Sequence, residues 1–369
     1  MIRDLTEAQA LTWEKLFNIS KSKRIGNAYL ISGPAGSGKE GLAIKFAQLI
    51  NCKHNSNGFC NECDSCLKFK TLQHEQLNII VPLPVPKTSR DNDIIPKEYF
   101  ESLDSKSKDL FYKMDLPKAN RILIQSIREL KKILYFKSDK ESGRKFVIIF
   151  DAEQLCSGQG ESGNALLKLL EEPPSQTTFI LVTDYKKILF ETIISRCQNI
   201  DVPCLQNSFI YEWLIDRQLS EANADILVKI SRGNIHNAKM LLSQSIESIM
   251  NTIEKLTITV IGKNPQKWRK FISYYSRLIN TNQLDFDQQL NLIVIWLQGA
   301  NKLRLNLVSG FERTNLQSRM VSFNEKFPKA NIYRIILCIE EVKSLARQNL
   351  YMPLILLNML LDIQEFLYE

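Results

Sequence analysis

AYLISGPAGSGKEGLAIKFAQLI, residues 28–50, is an apolar strand, a glycine loop and a helix in direct succession. The strand runs from Ala28 into Gly33. The loop has the Gly-x4-Gly-Lys spacing, with Gly33, Gly36 and Gly38 flexible and Lys39 closing it. Such a loop turns backbone N–H groups at a helix N-terminus toward phosphate oxygens, with the lysine as a point charge beside them. Leu42, Ile44, Phe46, Ala47, Leu49 and Ile50 then recur close to a helical stripe. Strand, loop and helix together are the context a phosphate-binding motif needs. The position after the lysine should carry a hydroxyl for Mg²⁺; here it is Glu40. Its carboxylate suits the start of a helix but repels phosphate.

Two further apolar runs read as buried parallel strands. These are FVIIFD, Phe146–Asp151, and TTFILVTD, Thr177–Asp184, and helical stretches near 124–135 and 163–172 separate the three strands. Alternation of this kind predicts a doubly wound α/β layer. Ligands of such sheets sit at the carboxyl ends of the strands, where both the glycine loop and Asp151 fall. Asp151 is the expected magnesium carboxylate of a nucleotide site, yet Ala152 stands where a water-activating glutamate belongs, and Glu153 lies one residue too far. Two catalytic elements are thus altered, each worth orders of magnitude in rate. Nucleotide (ATP or ADP) bound weakly through Lys39 and the loop, or not at all, is the expectation.

Past residue 205 the strand signal ends. Ser220 precedes a helix that runs to Gly233, and the remainder from about 245 reads as five or so helices, as in Leu290, Ile293, Trp296 and Leu297. Boundaries fall near 205 and 245. The segment 82–118, with its proline and charge clusters, reads as a surface insertion rather than core.

Cys52-x7-Cys60-x2-Cys63-x2-Cys66 gathers half of the chain's eight cysteines into fifteen residues. Spacings of C-x2-C suit tetrahedral Zn²⁺, and four thiolates leave no position open for water, so the expected zinc is structural. His54 and His74 are superfluous beside a full set. The rest of the chain's cysteines read as reduced thiols in a cytoplasmic protein. The opening MIRDLTEAQA lacks secretory character, and the longest apolar run, Leu354–Leu367, is broken by Asn358, Asp362 and Glu365, so no membrane partner is expected. A net charge of +8 on a 369-residue chain permits nucleic-acid contact without requiring it. KWRKFISYYSR, Lys267–Arg277, mixes cations and aromatics; it reads as a solvated face over a core stripe or, alternatively, as a nucleic-acid surface.

SRCQ, residues 195–198, lies beyond the third strand. Its Arg196 reads as an ordinary surface arginine or as a guanidinium that stabilises phosphoryl charge, in cis or on a neighbouring subunit.

The combination of RIGNAYLISGPAGSGK, the four-cysteine knot, IQSIRELKKIL (Ile124–Leu134), NALLKLLEEPP (Asn164–Pro174) and TIISRCQ resembles the clamp-loader subunits of bacterial DNA polymerase III, the delta-prime branch and its ATPase sister gamma/tau. The resemblance covers residues 20–205 well and is only architectural in the C-terminal helices. It implies an AAA+ α/β module over 1–205, with the zinc module at about 52–66 inserted. It also implies a small helical lid over 206–245 and an all-α collar over 246–369 that assembles a ring. It implies that Arg196 acts in trans at a neighbour's ATP site. The implied partners are gamma/tau, delta, the sliding clamp and primed DNA within the complex. Where family ATPases carry a lid arginine, GNIHNA (Gly233–Ala238) has His236, which favours a non-hydrolysing delta-prime type. The alternatives are an active ATPase that uses Lys39, Asp151 and Glu153, and a zinc-containing nucleic-acid-binding protein on a degenerate P-loop scaffold.

Overall fold

The computed structural model describes residues 4–22, 24–54, 58–85, 95–136, 143–311, 315–347 and 350–368. They form two compact units, Met1–Trp213 with Gly233–His236, and Leu214–Arg232 with Asn237–Glu369.

The first unit is built on a five-stranded parallel sheet. Its strands are β1 (Ala28–Ser32), β2 (Leu77–Ile80), β3 (Lys145–Ile149), β4 (Thr177–Thr183) and β5 (Gln198–Asp201), in the order β2-β3-β4-β1-β5. The central strands β1 and β4 are buried along their whole length, as continuous apolar runs covered on both faces must be. Parallel pairing sets Leu30 beside Leu181 and Val147 beside Phe179, which brings the carboxyl ends of β1, β3 and β4 together at one rim. On one face the helices Ile124–Phe136 and Glu161–Glu171 bury Ile127, Leu130, Leu134, Leu166 and Leu169 against the sheet. Each such side chain contributes about 1.5–3 kcal/mol relative to exposure. β2 and β5 go unread in the sequence because they are four-residue edge strands with partly exposed faces.

The 82–118 segment corrects the sequence reading; residues 86–94 of it lie outside the described residues. The remainder is not a surface appendage. It contains the helix Lys97–Lys108, and Lys106, Phe111, Met114 and Leu116 are buried. The Leu83 N–H donates to the Arg121 carbonyl (3.0 Å) in an antiparallel bridge that draws the two ends of the excursion together. Because β2 is parallel to β3, the chain leaves it at the rim where the carboxyl ends of the strands lie.

The second unit is built of helices joined by short loops, with no strand among its described residues. The helix Gln283–Arg304 buries Phe286, Leu290, Ile293, Trp296 and Leu297. Arg304 ties down the carbonyls of Phe327 and Ala330. In Pro265–Thr281, Trp268, Phe271 and Tyr275 are core, and the Trp268 indole donates to the Thr259 and Gly262 carbonyls. Tyr274, Lys267, Arg269, Lys270 and Arg277 remain exposed. Among the described residues no helix is long and apolar enough to cross a membrane.

Candidate functional site: a glycine loop filled from within

The glycine loop lies at the end of β1, and Lys39 opens the helix Lys39–Asn51. Gly36 (φ +69°) and Gly38 (φ +85°) sit in the left-handed region that favours glycine. A Cβ on Gly36 would lie 1.9 Å from Asn234 Oδ1; one on Gly38 would strike Leu5 and Phe111. Other parts of the same unit therefore press directly on the loop. Gln9 reinforces this from the N-terminal side by donating to the carbonyls of Ser37 (2.9 Å) and Pro203 (2.8 Å).

Lys39 is buried and does not face an open space. Its ammonium pairs with Asp184 at 2.7 Å and donates to the Pro34 carbonyl at 2.5 Å. Glu40, at the hydroxyl position, accepts from Lys106 on one carboxylate oxygen (2.5 Å) and from Lys113 on the other (2.8 Å). Lys113 also reaches Asp151 Oδ1 at 2.5 Å. Asp151 holds φ +48° at the sharp turn after β3, and the chain then enters a 3₁₀ turn instead of staying extended. Glu153 is consequently buried and accepts a hydrogen bond from the Thr183 hydroxyl (2.6 Å).

Three ammonium groups thus meet three carboxylates, Glu40, Asp151 and Asp184, at the rim where a nucleotide and its metal would sit. The three ammoniums, Glu40 and Asp184 enclose, with Gly36, Gly38, Leu110, Phe111 and His236, a cavity of about 20 Å³. That is room for about one water molecule. Of the residues the sequence singles out, Gly36, Gly38 and Lys39 line this cavity, and Asp151 is tied to it through Lys113. Sequence reasoning misses Lys106, Lys113 and Asp184. DLFYKMDLP, residues 109–117, flanks Lys113 with apolar residues, but nothing in the sequence says where that lysine points, and Lys106 carries no such signal.

Burial acts to raise the Glu40 carboxyl pKa, but the Lys106 and Lys113 ammoniums more than offset it and hold the pKa at about 2. Burial likewise acts to lower Lys113, and Asp151, Glu40 and Asp184 hold it well above the usual lysine range instead. For His236 burial wins and pushes the imidazole down to about 3, while Glu40 and Asp184 pull it up and Lys113 and Lys106 pull it down.

The unfolded chain takes up the His236 proton near pH 6.5, whereas the fold refuses it until about 3. Across that window the unfolded state binds more protons, so stability falls as pH drops. Glu40 adds to the loss between about 4.5 and 2. His236→Asn is expected to flatten the decline between pH 6.5 and 4.5 in urea unfolding. An unchanged slope would contradict this assignment.

Arg196 is held elsewhere. Cys197 and Ile193 are anchored in the core, which turns Arg196 outward. Its guanidinium donates to the Thr192 carbonyl (2.8 Å) and pairs with Glu171 (2.5 Å), a residue of the NALLKLLEEPP segment. With a side chain 35% exposed, it is fixed in direction yet accessible.

The four cysteine Sγ atoms lie within 4.8 Å of one another. Cys52–Cys60 and Cys60–Cys66 are 3.6 and 3.9 Å apart. Tetrahedral coordination with Zn–S bonds of 2.3 Å places sulfurs about 3.8 Å apart. Backbone N–H groups of His54 and Cys60 point at Cys52 Sγ, and that of Cys63 at Cys60 Sγ, as they would toward thiolates. The donor set therefore fits a metal ion. His74 is not drawn in; its ring bonds the Ser65 hydroxyl (3.0 Å) and accepts from the Gln76 N–H (3.1 Å).

The parallel sheet with its glycine loop, followed by a helical C-terminal unit, defines an AAA+-type α/β module. The family model described as DNA polymerase III, delta subunit, matches residues 8–206, more than half of the chain. The chain belongs to that family, and it is of delta-prime type. DNA polymerase III subunit delta' of Bacillus subtilis is 26% identical over 62% of this chain and 58% of its own length. The Haemophilus influenzae subunit delta' is 24% identical over 86% of this chain and 84% of its own. The Bacillus subtilis tau subunit is 28% identical over 66% of this chain but 38% of its own. The chain thus spans less than two thirds of the two Bacillus relatives it matches.

Proposed function

We propose that this chain is a non-hydrolysing stator of a clamp loader. In this reading it lends Arg196 to the ATP site of a neighbouring gamma/tau-type ATPase. With a delta-type subunit, the ring opens the sliding clamp onto primed DNA. Residues 206–245 serve as the lid and 246–369 as the collar of that ring. The observation that carries the reading is the contrast between the two sites. The chain's own loop lysine, Lys39, is neutralised by Asp184 in a cavity too small for a nucleotide, while Arg196 is exposed and aimed by Glu171.

The geometry gives no support to turnover through Lys39, Asp151 and Glu153, since each is engaged by a partner of the same chain. Stacking of nucleic-acid bases on Lys267–Arg277 finds a single exposed aromatic, Tyr274, among the four. Zn²⁺ at Cys52, Cys60, Cys63 and Cys66 is structural in this reading, since all four positions of a tetrahedron are filled by protein.

The test is clamp- and DNA-stimulated ATP hydrolysis by the complex assembled from this chain and its gamma/tau and delta partners. Lys39→Ala here is expected to leave the rate within about twofold, because no transition state forms against Lys39. A loss of a hundredfold or more with Lys39→Ala would make the chain a motor.

A further inference from the structure

We infer that Lys113 is a tethered substitute for the divalent cation of a P-loop site, with Glu40 and Asp151 as its two ligands. The inference deepens the stator reading, because it states what occupies the silent site. It begins from position 40. A serine or threonine there offers a neutral oxygen to a metal; a glutamate offers a full charge that must be matched inside the fold. The chain supplies the match from the excursion after β2. Lys113 Nζ sits between Glu40 Oε1 and Asp151 Oδ1, the two residues whose places in a working site belong to the metal.

The ammonium is brought there by packing. Phe111 lies against Gly38 and is tilted on Phe209, and Leu110 lies against Gly41. Met114 and Leu116 are buried beyond it. Lys106 completes the arrangement from the helix before, on the second oxygen of Glu40, with its own ammonium over the Phe150 ring and bonded to the Tyr112 carbonyl. A lysine presents three donors and one charge where a magnesium ion presents six positions and two charges. The second charge comes from Lys106. The glycine loop is thereby held by groups of its own chain and needs neither nucleotide nor metal to neutralise its acidic residues.

One consequence separates this from an ordinary buried ion pair: removal of the lysine alone should turn the place into a metal site. The experiment is thermal unfolding of the full chain, wild type and Lys113→Ala, with MnCl₂ titrated from zero to millimolar. Wild type is expected to move by less than 1 °C. Lys113→Ala is expected to melt lower than wild type and to regain about 5 °C once Mn²⁺ exceeds its dissociation constant a hundredfold. Addition of Asp151→Asn should abolish that recovery. Should Lys113→Ala not fold, Lys113→Gln, which keeps length and a donor but no charge, carries the same titration. A folded variant with no Mn²⁺ response, or a wild type that responds as strongly as the variant, would overturn the inference. The titration reads this chain alone, so its failure is distinguishable from failure of the stator reading, which is tested in the complex.

Discussion

Arg196→Ala is expected to lower ATP turnover at the neighbouring site that this chain serves by about a thousandfold or more, while leaving the chain's stability near that of wild type. An arginine supplied across an interface to a transferring phosphoryl group contributes about 10³–10⁵ in kcat, or roughly 4–7 kcal/mol of barrier. The segment that carries Arg196 is firmly held. Cys197 and Ile193 root the SRC segment in the core, and Glu171 with the Thr192 carbonyl takes two edges of the guanidinium. Arg196→Lys is expected to rescue little, since a lysine cannot present a planar fork. Stability should change by no more than about 1 kcal/mol, because the Arg196–Glu171 pair is partly exposed and screened. The check is single-turnover hydrolysis in the assembled complex beside urea unfolding of the free chain. A rate within threefold of wild type would remove Arg196 from any role in trans.

The second large effect concerns the cysteines. Cys63→Ser is expected to release the metal and unfold at least the region around Cys52–Cys66. Structural zinc contributes about 10–16 kcal/mol to folding in small modules, which matches or exceeds the roughly 5–15 kcal/mol by which whole domains are stable. The loss should not stop at the module. Cys52 ends the helix that Lys39 begins, Gln48 of that helix bonds Asn61 (3.1 Å), and Phe59 packs edge-on against Trp13. Metal content by mass spectrometry, one zinc per wild-type chain and none in the variant, together with a fall in Tm of 10 °C or more, is the expected result. An unchanged melting curve would show that the thiols hold no structural ion.

The parts of the fold that are legible in the sequence are those whose signal is local. β1, β3 and β4 are continuous apolar runs, because a parallel strand covered on both faces has no polar side. The glycine loop, the cysteine spacing and the SRC segment are each contained in fifteen residues or fewer. β2 and β5 carry no such signal, since edge strands bury only part of their length. What fills the loop was hidden for a different reason. Lys106 and Lys113 are 66 and 73 residues from Glu40. In sequence they belong to a segment rich in proline and charge, which ordinarily marks solvated surface. Only the fold shows that these ammoniums point inward. Glu40 is legible as an anomaly, and its reading as a repeller of phosphate is incomplete: it is also the anchor for the two lysines. His236 shows the same division. Its place in the GNIHNA segment is visible in sequence, and its half-buried position beside the charges of Glu40, Lys106, Lys113 and Asp184 is not.

A glycine loop closed by side chains of its own chain should take up no nucleotide. Equilibrium titration of the full chain with ATP and Mg²⁺, followed by calorimetry, tests it most directly. No saturable heat is expected up to about 1 mM nucleotide, since binding would have to displace Lys113 from two carboxylates and Asp184 from Lys39. Micromolar binding at one site per chain, lost on Lys39→Ala, would contradict it.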